Sequence, residues 1–314
     1  MQEAHNNKHS NDFDDEIDLR ELIYVLFAGK WIIVSLTAFV SIVGVIYSLS
    51  LPNIYESKAL LVPANSSSGT SAALRSYSGL AGLAGITLPS DGDEGNSAKA
   101  IQKIISLSFF ENKILTNIYL PDLMAVKSWN SKTNTLAFDE NIYDTKSNTW
   151  IRDYSYPNQP MPSAQESYKV FRGQHLSVSV DTKSGFITLS IKHQSPFVAK
   201  QWAELVVNEV NSFYRQKDKS ESEKAVSYIN QQISMTSLSE IKQVLAKLLE
   251  EETKKLTLIE ANQFYVFDYI DPPAVMEQKS SPRRSLICIL SALLGGMLSV
   301  LFVLTRHYAF SKKT

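Results

Sequence analysis

The sequence is short of the residues that most often carry covalent or metal chemistry. It has a single cysteine, Cys288, which excludes an internal disulfide framework and any zinc site built on two or more thiolates. The five histidines, His5, His9, His175, His193 and His307, show no metal-ligand spacing such as HExxH. No G-x-S-x-G nucleophile elbow occurs. The glycines of GLAGLAG at 79–85 are not followed by the Lys-Ser/Thr pair of a phosphate-cradling loop. Asp91-Gly92-Asp93 reads as a turn. Glu250, Glu251 and Glu252 point different ways on a helix and read as a solvated face. The sequence therefore gives no expectation of a catalytic, cofactor-binding or metal site, and none of a cofactor.

A charge excess is missing too. Lys+Arg number 31 against 32 Asp+Glu, a formal net charge of −1, so nothing argues for nucleic acid as a partner. Hydrophobic residues make up 44%, too many for a disordered chain.

Those hydrophobic residues concentrate at the two ends. Trp31–Leu51 and Ser285–Thr305 are each 21 residues without a charge. As helices each would be roughly 30 Å long, the thickness of the hydrocarbon core. Uncharged apolar runs of this length favour membrane spans over buried core helices. The first is not read as a signal peptide, because the thirty residues before it are acidic where a signal peptide is short and positive. The expected division is a tail at 1–30, a span at 31–51, a middle domain at 52–282, a second span at 283–305 and a tail at 306–314. Two spans place both termini on one side. Lys and Arg near the spans count five against four in favour of cytoplasmic termini, which leaves the orientation open on charge alone. The middle segment has no thiol, which suits an oxidising compartment.

The middle segment reads as α+β. Ile54–Val62 is a strand closed by Pro63, followed by a Ser/Gly/Ala loop over 64–98. Ile101, Ile104, Ile105, Phe109 and Ile114 give helical spacing over 98–117, and 119–162 reads as loops and short irregular pieces. Leu176, Val178 and Val180, then Ile187, Leu189 and Ile191, alternate with polar residues around a turn at 181–185 and predict a hairpin. Pro196 opens a helical stretch in its first turn. From Phe197 to Ala261 there is neither proline nor glycine. Ser237 with Glu240 has the capping-box pattern, which permits a new helix after a bend. Unbroken, the stretch would make a rod of about 95 Å. No globular core covers such a rod, so other chains or a second helix must bury its stripe, and oligomerisation is expected. Ile241, Val244, Leu245, Leu248 and Leu249 are the candidate packing residues. Phe264–Ile270 is a last strand. Pro272, Pro273 and Pro282 then stiffen the return towards the second span. Within that span Ser291, Gly295 and Ser299 are spaced by four, with Gly296 beside them, a pattern that lets helix backbones approach in lipid. Trp129, Tyr143 and Trp150 are aromatic candidates for stacking on sugars, with packing of surface loops the more ordinary role.

Several segments together resemble the Wzz chain-length determinants, the bacterial polysaccharide co-polymerases. They are DDEIDLRELIYVLFAGKW (14–31), IYESKALLVP (54–63), GLAGLAGITLP (79–89) and the stretch from Ser237 through the glycine-bearing second span. The resemblance runs over nearly the whole chain and is densest over Ser237–Met297. It implies an α+β periplasmic domain with a long projecting helix, flanked by two transmembrane helices in the inner membrane, with both termini cytoplasmic. It implies no enzymatic activity. Its implied partners are further copies of the chain, a Wzy-type polymerase, the growing lipid-linked polysaccharide and membrane lipid. The family's proline-rich motif falls on Pro272, Pro273, Pro282, Gly295 and Gly296. This chain departs from it at Val275-Met276-Glu277, where many relatives carry a proline. Only nine residues follow the second span, leaving no room for the cytoplasmic kinase of exporter members. The expectation is therefore control of lipopolysaccharide O-antigen length, with capsule, common antigen or exopolysaccharide as the alternative.

Overall fold

A computed structural model describes residues 19–64, 93–262 and 264–311. The chain begins with α1 (Leu19–Ala28) and α2 (Lys30–Ser50), followed by β1 (Tyr55–Pro63). Most of the glycine-rich loop lies outside the described residues. Next come α3 (Asp93–Ile104), α4 (Leu107–Phe109), a π-turn at Phe110–Ile114, a 3-10 turn at Leu115–Asn117 and α5 (Leu120–Met124). Two small ribbons follow, β2 (Val126–Asn130) with β3 (Thr135–Phe138), and β4 (Tyr143–Asp144) with β5 (Thr149–Trp150). Then come α6 (Ala164–Val170), a π-turn at Phe171–His175, β6 (Leu176–Val180) and β7 (Ile187–His193). The chain ends with α7 (Pro196–Met235), α8 (Ser239–Ala261), β8 (Phe267–Asp271) and α9 (Arg284–Ser311). The expected class holds: helices and a sheet, one very long helix and two apolar helices at the ends.

By its internal contacts the chain forms two units, one of residues up to Leu51 and from Pro282 on, the other Pro52–Ser281. The second is built on an antiparallel sheet ordered β6-β7-β1-β8. β1 lies inside that sheet, with Ala59 opposite Leu189 and Leu61 opposite Ile187 on one side and Leu61 opposite Tyr269 on the other. Ala59, Leu61, Leu189 and Ile191 are buried on the face that α7 covers with Trp202, Ala203, Val206, Val207 and Val210. Phe109, Phe110 and Phe171 complete this core. Each of these large side chains adds about 1.5–3 kcal/mol when fully buried.

The hairpin of β6 and β7 forms in the register that the alternation predicts, with Val178 opposite Leu189. Gly185 closes its turn at φ 72°, a conformation that an L side chain resists. Pro196 is at the first turn of α7, and Ser195 caps the helix by accepting a bond from the Val198 N–H.

Four expectations need correction. The helix expected over 98–117 begins earlier, at Asp93, inside what reads as loop. It also breaks at Ser106, whose extended backbone and hydroxyl cap the next turn by accepting from Phe109 N; serine competes with helical bonding in just this way. The stretch 119–162 is more ordered than its composition suggests. Asn134 and Asn148 reverse its two ribbons at φ 52°, which short polar side chains tolerate. Finally, Ser237 and Glu240 form no capping box. Leu238 is the N-cap of α8 and no side chain caps it. A capping box does form at Ser163 and Glu166. There Arg152 also grips the Glu166 carboxylate and holds it below the usual carboxylate range.

Where β8 meets α7, one buried carboxamide carries the join. Asn211 donates from Nδ2 to the Phe267 carbonyl at 2.9 Å and accepts from the backbone N–H groups of Val266 and Phe267 at 2.8 and 2.9 Å. Removing it strands one carbonyl and two N–H groups in a buried place. Asn211→Ala is expected to cost about 2–3 kcal/mol. Chemical unfolding of the purified full-length chain checks this, and an unchanged midpoint would contradict the clamp.

Candidate functional site

The long helical stretch is two helices. Thr236 and Leu238 take extended backbone angles, so α8 folds back along the distal half of α7. Lys219 of α7 pairs with Glu260 of α8 and draws its carboxyl below the usual range. Tyr265, just after α8, donates its hydroxyl to Asp218 at 2.6 Å. α7 is about 60 Å long and α8 about 35 Å by helical rise. The second helix that covers the stripe of α7 therefore comes from the same chain, and the continuous rod is replaced by a helical hairpin. Ile229 and Ile259 are buried in its seam, and Leu245 and Leu249 are half-buried along it.

The other three candidates on α8 do not share that seam. Ile241, Val244 and Leu248 are 46%, 62% and 44% exposed. Their i, i+3, i+7 spacing puts them on one flank of the helix. Leu238 at the hairpin tip is exposed as well. Among the described residues nothing covers this flank. The five candidates thus divide by physical role, two closing the hairpin and three lying open.

The proline tether is tied to the sheet. The Ile54 N–H donates to the Ser281 carbonyl at 2.9 Å, and the Ser280 N–H donates to the Ile54 carbonyl at 2.8 Å. Ser57 Oγ donates to the Ala274 carbonyl at 2.8 Å. Pro273 is buried, Pro272 exposed and Pro282 half-buried. Proline supplies no N–H to this arrangement, so its bonds come from the serines and from Ile54.

In the unit of apolar helices, α2 and α9 pack side by side. Both are long and apolar enough to cross a membrane. Ser291 faces Gly44 so closely that a Cβ at Gly44 would sit 2.3 Å from Ser291 Oγ. A Cβ at Gly295 would be 3.0 Å from Val40 Cβ. Ser299 Oγ and Thr37 Oγ1 are 3.2 Å apart, in hydrogen-bonding contact. A Cβ at Gly296, by contrast, would meet nothing within 4 Å outside its own helix backbone. Three of the four small residues thus line the α2 contact and the fourth does not. Gly29, which the sequence reading overlooked, belongs to the same set: a Cβ there would lie 2.5 Å from Val303 Cγ1. Gly29 stands at the junction of α1 and α2, just before the first apolar run, so the small residues inside that run do not reveal it.

The aromatic candidates are packed. Tyr143 is buried, with its hydroxyl 2.7 Å from that of Tyr119, and Trp150 lies 5.0 Å from its ring. Trp129 meets Tyr55 edge-on at 5.3 Å and donates from its indole to Asn134. No group of three or more His, Cys, Asp or Glu suited to a metal ion occurs among the described residues.

Residues 15–111 match the family pattern "Wzz: Chain length determinant protein". That stretch takes in α1, α2, β1 and α3, so the resemblance read from the residues holds there. The Ser237–Met297 region, where the likeness is expected to be densest, lies outside this match. No curated protein matches the chain. A solved structure described as a full-length bacterial polysaccharide co-polymerase is similar over 95% of this chain and 100% of its own, at 15% identity and a TM-score of 0.42. Another, described as a fragment of WzzB, a polysaccharide co-polymerase from Salmonella Typhimurium, covers 73% of this chain and 100% of its own, at 12% identity and a TM-score of 0.30.

The two kinds of glycine in these helices separate in a simple experiment. Gly44→Leu must push α2 away from Ser291 and is expected to destabilise the helix pair by about 1–3 kcal/mol. Gly296→Leu, which meets open space, is expected to be neutral. Thermal inactivation of the two variants in lipid nanodiscs decides it, and equal midpoints would refute the assigned contact.

Proposed function

We propose that this chain is a non-enzymatic regulator of polysaccharide chain length in the bacterial inner membrane, acting on lipopolysaccharide O-antigen. The observation that carries this reading is the chain length determinant match over residues 15–111. The two apolar helices support a two-pass topology with α2 and α9 as the spans; the proposal places both termini in the cytoplasm. The unit Pro52–Ser281 is then periplasmic. The lack of any cysteine within it suits that oxidising compartment.

In this reading the chain works as a homo-oligomer beside a Wzy-type polymerase and its growing lipid-linked glycan. The open flank of α8 supplies the surface that neighbouring copies bury. Ile241, Val244 and Leu248 in one stripe are costly to leave in water, and a second chain removes that cost. Glycan length then depends on how the copies pack around the polymerase, because that packing sets how long the glycan stays engaged. No group on the chain needs to make or break a bond.

The direct test is a lipopolysaccharide ladder from the parent strain, a clean deletion and the deletion carrying this gene. The expected result is loss of a modal band cluster and its return on complementation. An unchanged ladder in a strain that makes O-antigen would refute the assignment to O-antigen, and sizing of capsule would then identify the polymer. The α8 flank has its own test. Ile241→Glu, Val244→Glu and Leu248→Glu together are expected to shorten or scatter the glycan and to reduce oligomer mass, while the protomer keeps its unfolding midpoint. A normal ladder from that stably expressed variant would remove α8 from length control.

A further inference from the structure

The sheet unit holds a cavity of about 470 Å³ beside the end of β7. That lies within the range of about 300–1,000 Å³ usual for small-molecule sites. Leu123, Val126 and Val170 give it an apolar wall. Asp122, Gln174, His175, Lys192 and Gln194 give it a polar one.

The two histidines beside it are in different states of use. His193 accepts at Nδ1 from the Ser195 N–H at 2.9 Å, so its proton is on Nε2, which donates to the Asp122 carbonyl at 2.9 Å. Both its nitrogens are spent on structure. His175 Nδ1 lies 2.6 Å from the Lys192 carbonyl. A carbonyl only accepts, so Nδ1 carries the hydrogen and Nε2 is left as a bare acceptor. Burial, with His193 nearby, lowers the His175 pKa to about 4, so the ring is neutral at pH 7. Its Nε2 has no hydrogen-bond partner among the described residues. The ring itself is held edge-on against Trp202 at 5.5 Å.

Two more acceptors share the cavity. Gln194 donates its amide N–H to the Val126 carbonyl, while its Oε1 is buried with no partner. The Asp122 carboxylate accepts no hydrogen bond from the described residues and pairs with no cation among them. Burial raises its pKa to about 6. Of these three acceptors without protein donors, Gln194 Oε1 is fully buried and is the costly one to leave unpaired, while His175 and Asp122 are half-buried. A ligand rich in hydroxyl donors relieves all three. A phosphate or carboxylate does not, because it brings further acceptors and meets Asp122 in its charged form. Lys192 and the Gln174 amide supply the complementary donors at the rim. The apolar wall fits the C–H face that a pyranose ring presents opposite its hydroxyl edge.

We propose that this cavity is a saccharide-binding site, in which sugar hydroxyls donate to His175 Nε2, Gln194 Oε1 and the Asp122 carboxylate. The choice of a saccharide rests on the reading of this chain as a glycan-length regulator. The site gives that reading a direct contact with the polymer. Ile54 and Ser281, where the chain enters and leaves this unit, also line the cavity.

The test uses the full-length chain in lipid nanodiscs, so that no glycoside detergent competes. The probes are methyl glycosides of glucose, galactose, mannose, rhamnose and N-acetylglucosamine, and the delipidated glycan released from the producing strain. Saturation-transfer NMR reads binding. At least one probe is expected to bind, and Asp122→Asn and His175→Phe are each expected to weaken it at least tenfold. Asp122→Asn is the informative variant if His175→Phe misfolds, because the Asp122 carboxylate holds no bond of the fold. No transfer to any probe from the folded wild-type chain overturns the site. Binding that neither variant weakens overturns it too. Loss of binding in the variants together with an unchanged ladder in the deletion strain keeps the site and refutes the glycan-length reading. A deletion ladder that loses its modal cluster, beside a chain that binds no probe, does the reverse.

Discussion

The antiparallel pairing of β1 with both β7 and β8 is the constraint on which the rest of the structure depends. β1 follows the first apolar helix by only a few residues, and β8 is joined to the second by the short proline tether. Pairing them brings two segments more than 200 residues apart in sequence to the same edge of one unit, and the Ile54–Ser281 bridge closes that edge. Because β1 also pairs with β7, the hairpin of β6 and β7 and the helix that follows it are placed on the same sheet. The closure entropy of so long a loop is recovered only through the buried face that α7 completes.

That one helix has two roles along its length. Its first half presents small and β-branched residues to the sheet, Ala199, Ala203, Val206, Val207 and Val210, which allow close approach. Its second half leaves the sheet and is covered by α8 instead. The change falls near Asn211, where a buried polar clamp replaces apolar packing and fixes the point at which β8 starts. Buried polar groups of this kind are costly unless every bond is made, so they fix a register more sharply than greasy contact does. The two proposed functional surfaces are arranged around this division: a polar cavity at the sheet end, and an apolar flank on the hairpin.

The apolar helices follow different packing rules. If they span a bilayer, as proposed, there is no hydrophobic gain from bringing them together, so backbone proximity and small side chains decide which faces meet. Gly44 against Ser291 and Gly29 against Val303 are contacts of that kind. Spacing by four in α9 identified a face, and the chain's own α2 fills it. Gly296 shows the weakness of reading small residues alone, since it is adjacent to that face yet a Cβ there would meet open space.

Hydrophobic patterning by itself determined a good deal of this protein. Two uncharged runs of 21 residues, a hairpin of alternating apolar residues and a long stretch free of proline and glycine are local patterns, and local patterns are set by period and length. The class of fold and the places of its main elements followed from them. Other features depended on contacts between distant residues. A break near Ser237 is suggested by a capping-box pattern that does not form; what holds the turn is α8 packing along the stripe of α7. The division of Ile241, Val244 and Leu248 from Leu245 and Leu249 exists only once that hairpin is closed. The cavity beside β7 gathers Asp122, His175 and Gln194 from three separate segments, and no spacing in the sequence relates them. Periodicity fixes which way a side chain faces on its own element. Which groups then share a recess, and which are left without a partner, is decided by the packing of one element on another.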